Sequence, residues 1–340
     1  MTKVAVVILN YNGEKFLKEF LPLVIERSGE MAEIWVADNQ SKDGSVALLK
    51  KEFPEVKLII NKENGGFAKG YNDALKQIEA EYYVLLNSDI EVTKGWIEPV
   101  IKLMDSDKTI GACQPKLRSY YEKEKFEYAG AAGGFIDRYG YPFCRGRIFM
   151  NLETDHRQYD DIKEIFWATG ACMFVRADVY HSLGGLDDDF FAHMEEIDFC
   201  WRLKNNGYKV MYTPESMVYH IGGGTLPKSS AWKTFLNFRN NFFLLYKNLP
   251  SDRLWKVIST RLFLDGLAGI KFLTEGHYKD TLAVIKAHFA FYSNLKNLRA
   301  KRKNLTQKHV SQMYMGNIVT EHYLKRKDYF SDLDPSRFSK

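Results

Sequence analysis

Short apolar segments alternate with amphipathic segments over the first ninety residues. Residues 4–9, 34–37, 56–60 and 82–86 are rich in β-branched and aromatic side chains, which is typical of strands buried in a parallel sheet. Between them apolar positions recur at helical spacing, for example at 17, 20, 21 and 24. This alternation predicts an α/β fold with a doubly wound, mostly parallel sheet of the kind that binds nucleotides.

The pattern changes after residue 115. Residues 115–165 are rich in tyrosine, glycine and charge, and we expect irregular strands and loops there. Strands are predicted again at 166–175, 209–212 and 217–220, with a helix near 197–201. From Trp232 onward the pattern is helical, and the apolar stripe within 253–273 favours a helix that covers the body over one that lies on a membrane.

Charge divides the chain into two parts. Residues 1–227 hold 27 Lys and Arg against 35 Asp and Glu, whereas residues 228–340 hold 21 against 8. We therefore predict an acidic domain over 1–227 and a basic helical C-terminal extension over 228–340. A basic extension favours an anionic partner, either a membrane surface or a polyanionic acceptor. Nucleic acid is disfavoured, because the basic cluster at 299–303 lacks interleaved aromatic residues.

Cysteine spacing and hydropathy bear on the compartment. The four cysteines lie far apart with no C-x-x-C pair, so neither a zinc site nor a disulfide framework is predicted, and a reducing cytoplasm is expected. No run approaches the roughly 20 apolar residues that a spanning helix needs. The apolar run at 4–9 is too short for a secretory signal, and we interpret it as the first strand.

Polar side chains follow the predicted strands at the edge where α/β sheets bind ligands. Asn10 and Asn12 follow the first strand, Asp38 the second and Asp89 the fourth. A carboxylate at 38 suits the imide N–H of uracil or thymine. The glycine-rich helix entry at 64–72 suits a diphosphate, although its spacing is neither G-x-G-x-x-G nor a P-loop. With the acidic helix start at 195–198, Asp89 predicts a metal-assisted transfer site.

Six motifs in consistent order resemble the family 2 glycosyltransferases, and in particular their bacterial rhamnosyltransferase-like branch, over roughly residues 3–250. They are Asn10-Tyr11-Asn12, Asp38-Asn39-x-Ser41-x-Asp43-Gly44-Ser45, Asn64-x-Gly66-Phe67-Ala68-x-Gly70-x-Asn72, Leu85-Leu86-Asn87-x-Asp89, Gly170-Ala171 and Glu195-Glu196-x-Asp198-x-Cys200-x-Arg202. The resemblance implies a GT-A fold, a nucleotide-sugar donor, a divalent metal (Mg²⁺ or Mn²⁺) and a direct displacement that inverts the anomeric carbon. Residues 1–227 would form this nucleotide-sugar-binding and catalytic domain.

The resemblance also implies roles for single residues. Asp38 would hold the base, and Asp89, the last residue of the family's D-x-D motif, would ligate the metal. The first position of that motif is Asn87 here, and one fewer charge weakens metal binding. His220 falls where the family often has another metal ligand, and the glycines at 222–224 suggest a lid beside it.

A carboxylate must take the proton of the acceptor hydroxyl as the new bond forms. The resemblance implies Glu196 as this base, since it aligns with the second acid of the family's Glu-Asp pair, with a longer side chain in place of the usual aspartate. Glu195 is the alternative, and Asp198 is either a third member of the acidic set or the partner of Arg202. Trp167, Gly170 and Ala171 are expected to line the acceptor pocket, with the alternative that Trp167 packs in the core instead of stacking on a sugar face. The expected nucleotide-sugar-binding residues are Asn10, Asn12, Asp38, Asn64, Gly66, Phe67, Gly70, Asn72, Asn87 and Ser88.

The predicted function is an inverting glycosyltransferase that moves a sugar from a dTDP- or UDP-sugar to a hydroxyl of a glycan or lipid-linked acceptor. It would act in the cytoplasm, with the basic extension near the inner membrane face. Two alternatives stay open. A nucleotidyltransferase that makes activated sugars would need a loop rich in glycine and lysine after the first strand, unlike residues 10–14. A non-catalytic glycan- or polyanion-binding protein would be indifferent to loss of Glu196.

Overall fold

The structure is a computed structural model that describes residues 2–222 and 230–340. Its N-terminal part alternates strands and helices as the hydrophobic pattern predicts. The strands are β1 (Thr2–Asn10), β2 (Ala32–Asp38), β3 (Lys57–Ile60), β4 (Ala80–Asn87), β5 (Ile90–Val92), β6 (Ile110–Ser119), β7 (Gly134–Asp137), β8 (Pro142–Cys144), β9 (Arg147–Ile148), β10 (Asn151–Leu152), β11 (Lys163–Ile165), β12 (Cys172–Arg176), β13 (Lys209–His220) and β14 (Met313–Tyr314). The α-helices are α1 (Glu14–Ser28), α2 (Ser45–Glu52), α3 (Gly66–Leu75), α4 (Glu98–Ser106), α5 (Ala177–Ser182), α6 (Glu195–Asn205), α7 (Ala231–Asn248), α8 (Ser251–Thr274), α9 (Tyr278–Lys303) and α10 (Ile318–Tyr323).

The main sheet has the order β11-β13-β6-β12-β4-β1-β2-β3, with β5 paired to β13. Strands β3, β2, β1 and β4 are parallel, and β12 lies antiparallel between β4 and β6. The chain leaves β1 toward β2 on one side, and later returns to pair β4 on its other side. The carboxyl ends of β1 and β4 therefore flank a topological switch point, where ligands bind in such sheets.

The segment after residue 115 forms a second sheet. It has the order β10-β9-β8-β7-β14, so a strand from the C-terminal part of the chain completes a sheet whose other strands lie within residues 134–152. Met313 pairs with Ile136 in that parallel contact. Of the strand predicted over 166–175, only the part from Cys172 onward forms a strand, β12, because the chain turns through Thr169-Gly170-Ala171 between β11 and β12.

The C-terminal helices pack on the body through α7. Lys247 of α7 forms ion pairs with Asp187, which precedes α6, and with Asp198, which lies in α6. Leu254, Val257 and Ile258 of α8 are buried, which confirms the body-covering interpretation for the start of that stripe. None of the helices in the described ranges is long and apolar enough to cross a membrane.

Candidate active site

The ends of β1 and β2 are joined by a buried polar pair. Asp38 is 1% exposed, and its carboxylate accepts hydrogen bonds from the Asn10 side chain at 3.0 Å and from the Ser41 amide at 2.9 Å. Asn10 also donates to the Ser41 hydroxyl at 3.1 Å. Asn12 lies outside this pair on the surface, where its side chain accepts from the Lys42 amide at 2.7 Å. These residues fix the two loops that border the switch point.

The glycine-rich entry to α3 differs from the expectation that its amides are free for a diphosphate. The Gly66 amide donates to the Asn64 side chain at 3.0 Å, and the Phe67 amide donates to the Phe191 carbonyl at 2.7 Å. Gly66 has a φ of +77°, and a Cβ there would lie 2.5 Å from the Phe191 carbonyl oxygen. Glycine is needed here because the 188–191 loop packs against the helix start.

Two other expected donor-site residues are structural. Asn72 donates to the Leu186 carbonyl at 2.7 Å and accepts from the Tyr180 hydroxyl at 2.6 Å, so its amide braces α3 against the chain before α6. A Cβ at Gly70 would lie 2.9 Å from Leu9, so this glycine permits close helix–strand packing. The structure thus gives Asn72 and Gly70 packing roles, and their expected contact with the donor stays a prediction.

At the end of β4, Asp89 faces His220 from the end of β13. A carboxylate oxygen of Asp89 lies 3.2 Å from His220 Nε2, and His220 Nδ1 lies 3.2 Å from an oxygen of Glu127. All three side chains are buried. Burial alone lowers the pKa of His220, but the charges of Glu127 and Asp89 outweigh it and raise that pKa to about 10. Burial opposes ionisation of Asp89, but His220 and backbone amides hold the pKa of its carboxyl below the usual value.

Asp89 and His220 fit two adjacent ligands of a divalent cation, provided that the cation displaces the proton that the two neighbouring carboxylates favour on the His220 imidazole. Two cis ligands at about 2.1 Å in octahedral geometry lie about 3.0 Å apart, close to the 3.2 Å between Asp89 Oδ1 and His220 Nε2. Glu127 stands where a carboxylate orients a metal-binding imidazole through its other nitrogen. Among the described residues no cluster of three or more His, Cys, Asp or Glu side chains is assembled for a metal. A cation held by two side chains takes its other ligands from water and phosphate oxygens, as Mg²⁺ commonly does.

The start of α6 carries the predicted acidic residues on a constrained turn. Phe191, His193 and Met194 have φ values of 64°, 69° and 72°, which is uncommon for residues other than glycine. The Asn240 side chain on α7 holds this turn by donating to the carbonyls of Phe190, Ala192 and His193 at 3.0, 2.9 and 2.7 Å. Backbone conformations of this kind persist where surrounding contacts enforce them, and they cluster at functional sites.

Both glutamates at this helix start have raised pKa values. Burial raises the pKa of Glu196 to about 7, although backbone amides of the helix start oppose the shift. Burial, together with the neighbouring Glu196 charge, raises the pKa of Glu195 well above its usual range. Within the described part of the chain, Oε2 of each glutamate has no hydrogen-bond partner. A carboxyl that titrates near neutrality with a free oxygen is suited to proton transfer.

A short turn connects the Asp89 side of the site to the Glu196 side. The Asn87 amide donates to the Ala171 carbonyl at 2.9 Å, and a Cβ at the adjoining Gly170 would lie 2.9 Å from the Phe67 ring and 3.7 Å from Glu196 Cβ. Ser88 lies on the other side of the same strand end, with its hydroxyl 3.4 Å from a Cβ built at Gly13. The end of β4, the Gly170-Ala171 turn and the start of α6 thus lie together.

Two predicted roles are corrected by burial. Trp167 is 3% exposed, its indole donates to the Phe135 carbonyl at 2.9 Å and its ring lies against Gly134, so it cannot stack on an acceptor sugar. Asp198 is fully buried, and its carboxylate binds Arg202 at 2.8 Å, Lys247 at 2.9 Å and Asn248 at 2.7 Å. The catalytic expectation for Asp198 is therefore wrong, and the alternative of a supporting pair with Arg202 holds.

Sequence reasoning missed Glu127 and gave Asn240 no role in the site. Glu127 lies in the segment predicted as irregular, and no local pattern indicates that it contacts His220, 93 positions later. Asn240 lies on the first C-terminal helix, far in sequence from the turn it holds. Of the predicted glycine lid at 222–224, residues 223 and 224 lie outside the described residues.

Two relatives with named activities match about two thirds of the chain. The N-acetylglucosaminyl-diphospho-decaprenol L-rhamnosyltransferase of Mycobacterium tuberculosis is 24% identical over 230 residues, which cover 63% of this chain and 75% of the relative. The dTDP-rhamnosyl transferase RfbF of Shigella flexneri is 25% identical over 261 residues, which cover 71% of this chain and 79% of the relative.

Solved structures of glycosyltransferases share the fold. Staphylococcus aureus TarS 1-349 in complex with UDP-GlcNAc superposes with a TM-score of 0.57 at 15% identity, covering 88% of this chain and 83% of TarS. The mannosyltransferase PcManGT of Pyrobaculum calidifontis, in complex with GDP-Man and Mn²⁺, superposes with a TM-score of 0.51 at 14% identity. The match covers 89% of this chain and 79% of PcManGT. The expected GT-A fold with C-terminal helices is confirmed.

The family model described as Glycosyl transferase family 2 matches residues 5–184. Because that match covers more than half of the chain, this protein belongs to glycosyl transferase family 2.

Proposed function

We propose that the chain is an inverting transferase that moves a rhamnosyl or another hexosyl group from a dTDP- or UDP-sugar to a hydroxyl of a glycan or lipid-linked acceptor. Family membership decides against the nucleotidyltransferase alternative. The named relatives support a rhamnosyl donor and, in the mycobacterial enzyme, a lipid-diphosphate acceptor. We place the reaction in residues 1–227, in the bacterial cytoplasm or at its inner membrane face.

One observation carries this proposal. Glu196 combines a pKa near 7, an unpaired carboxylate oxygen and a position beside the Gly170-Ala171 turn, which is bonded to the end of β4. We propose that Glu196 takes the proton of the acceptor hydroxyl while that oxygen attacks the anomeric carbon. Glu195 is our alternative, and its more strongly raised pKa keeps it protonated near pH 7, so that it is less available as a base.

Asp89 and His220 are the residues that would hold a divalent cation, oriented through Glu127. When bound there, the cation supplies positive charge that stabilises the leaving diphosphate. Asn87 and Ser88 precede Asp89 at the same strand end, where we propose that they contact the donor. The Phe67 ring and the small residues Gly170 and Ala171 would border the sugar.

Asp38 stays our candidate for the base of the donor. Each of its oxygens accepts one hydrogen bond from the protein, which leaves a second lone pair on each for an imide N–H. The side chain is 1% exposed, so contact with a base requires the loops that follow Asn10 and Asp38 to separate. Asn12, exposed on the loop after β1, and Asn64, exposed on the loop before α3, would then contact the nucleoside.

The test is transfer by the purified chain. A panel of dTDP-, UDP- and GDP-sugars with and without Mn²⁺ is screened by thermal shift, since a ligand that binds the native state raises its melting temperature. The stabilising donor is then incubated with a lipid-diphosphate saccharide, and the product's anomeric configuration is determined by NMR. An inverted product supports the proposal, and a retained configuration contradicts it.

Glu196→Gln separates a transferase from a non-catalytic binding protein. The substitution keeps size and removes the base, so turnover is lost while the donor-induced shift persists. Glu26→Gln, at an exposed position on α1, is the matched control and should retain full activity. Donor binding without turnover by the unmodified chain toward all acceptors would favour the binding protein.

A further inference from the structure

The α8–α9 hairpin has an outer face of large apolar side chains. On this hairpin face ten such side chains are between 47% and 71% exposed: Trp255, Phe263, Leu267, Ile270 and Leu273 on α8, and Tyr278, Leu282, Ile285, Phe289 and Tyr292 on α9. Single exposed apolar residues are ordinary on protein surfaces. Ten on two adjoining helices form a patch of the kind that marks an interaction site.

The spacing shows that each helix carries two apolar sides. The exposed residues of α9 recur at intervals of four, three, four and three, which places them on one line along the helix. Its buried residues, including Ala287 and Phe291, lie on the opposite side. In α8, Phe263, Leu267 and Ile270 follow the same rule, opposite the buried Arg261 and Asp265. One side of each helix packs on the protein, and the other is largely exposed. Among the ten exposed side chains, Trp255 has a ring contact with Tyr246 and Tyr292 has one with Phe291.

Basic residues lie within and beside the two stripes. Residues 251–303 hold 11 Lys and Arg against four Asp and Glu. All four acids are engaged. Asp265 is buried against Arg261, and Asp280 accepts from the Thr234 hydroxyl at 2.6 Å. Glu275 pairs with Lys271 at 3.2 Å, and Asp252 pairs with His309 at 3.3 Å. Seven exposed cations lie on the hairpin, namely Lys256, Lys271, Lys279, Lys286, Lys296, Arg299 and Lys303. A face that combines apolar side chains with a basic fringe is complementary to an anionic lipid surface.

The same charges argue against a second copy of this chain as the partner that covers the hairpin face. In a twofold-symmetric dimer the same patch meets itself, so the two basic fringes would lie near each other. Like charges placed opposite each other across an interface oppose association. The apolar side chains by themselves suit both occupants, and the charge favours the lipid.

The hairpin face begins close to the candidate active site. The Thr234–Asp280 hydrogen bond attaches the first turn of α7 to the first turn of α9. Trp232, on the same turn of α7, is 50% exposed, and its ring centroid lies 6.5 Å from that of Phe191. The Phe191 carbonyl in turn binds the Phe67 amide. A lipid surface held on the hairpin face would thus adjoin the turn that precedes Glu195.

We propose that the hairpin face docks on an anionic phospholipid bilayer, with its apolar side chains inserted at the interface and its lysines against lipid phosphates. The proposal rests on the exposure and charge of the hairpin and is independent of the chemistry of sugar transfer. It places the membrane contact on one defined face, rather than on the basic extension as a whole.

The test is sedimentation of the full chain with vesicles. We expect binding to vesicles of phosphatidylcholine with 30% phosphatidylglycerol, and at least tenfold weaker binding to pure phosphatidylcholine. Lys279→Gln with Lys286→Gln should weaken binding to the anionic vesicles by roughly fivefold for each lysine. Ile270→Gln with Phe289→Gln should weaken vesicle binding by about tenfold or more, because two apolar side chains are removed from the lipid interface.

Tyr121→Gln with Met150→Gln is the matched control. These side chains are 74% and 76% exposed but lie outside the hairpin, so their replacement should leave vesicle binding unchanged. Circular dichroism and the donor-induced thermal shift, measured on every variant, establish that the fold is kept. Equal binding to both vesicle types, or unchanged binding by the apolar variant, would overturn the proposal. So would a dimer in analytical ultracentrifugation that the apolar variant dissociates while vesicles are not bound.

Discussion

The backbone amide of Asn87 donates to the carbonyl of Ala171 at 2.9 Å. This bond joins the turn that presents Asp89 to the turn that lies against Glu196, although the two segments are more than eighty positions apart. A candidate metal ligand and a candidate base are therefore positioned from one antiparallel strand pair, β4 with β12. Such a pair is rigid, so changes to either side chain can be tested without moving the other.

The reaction should depend on the ionisation of Glu196. Glu196→Gln should lower kcat by about 100-fold to 10,000-fold with little change in KM for the donor. Because the base must be ionised and its pKa is about 7, kcat of the unmodified enzyme should fall about tenfold for each pH unit below that value. Steady-state kinetics from pH 5 to 9 measure both effects. If Glu195→Gln abolishes the fall of kcat at low pH and Glu196→Gln does not, Glu195 is the base and Glu196 is not.

Glu196 should also make stability depend on pH. Its folded-state pKa of about 7 lies above the ordinary value of 4.5. Its contribution to the free energy of unfolding is therefore fully present below pH 4.5 and is lost as the pH rises through 7. Glu196→Gln removes that loss. The variant should therefore melt at a higher temperature than the unmodified chain at pH 8 and at nearly the same temperature at pH 4.5. A difference that does not change with pH would contradict the assigned pKa.

Metal affinity should depend on Glu127, which touches His220 rather than the cation. Glu127→Gln should weaken Mn²⁺ binding about 10-fold to 100-fold, and His220→Ala should weaken it more. Calorimetric titration with Mn²⁺ alone measures this without any transfer reaction. Glu124→Gln, at an exposed position on the same segment, is the control. Equal affinity of the Glu127→Gln and unmodified proteins would exclude the orienting role.

Asp198 should matter for stability. Asp198→Asn leaves the charges of Lys247 and Arg202 buried with less compensation, and we expect a loss of about 3 kcal/mol in the free energy of unfolding. Asp252→Asn, which removes only an exposed pair with His309, should change that free energy by less than about 1 kcal/mol. Urea denaturation compares the two. A stable but inactive Asp198→Asn would restore a catalytic role.

Small size at position 170 should be required for activity. Gly170→Ala places a methyl group 2.9 Å from the Phe67 ring and 3.7 Å from Glu196 Cβ. We expect kcat/KM to fall about tenfold or more, since a displaced ring or carboxylate no longer fits the reacting groups. Phe67→Leu in the same chain should restore part of the loss. Failure of this second change to restore activity would indicate that the Glu196 side, and not the ring, is displaced.

The sequence determined the α/β class, the first four parallel strands and the strand ends that carry Asn10, Asp38 and Asp89, because these follow from local periodicity. It also indicated Glu196, through the resemblance of the 195–202 motif to the family's acidic pair. Tertiary structure decided the rest. Asp198 and Trp167 are buried in the folded chain. The amides of Gly66 and Phe67 donate to neighbouring protein groups, and Glu127 contacts His220. Contacts between distant segments depend on how the layers pack, and no spacing along the chain records them.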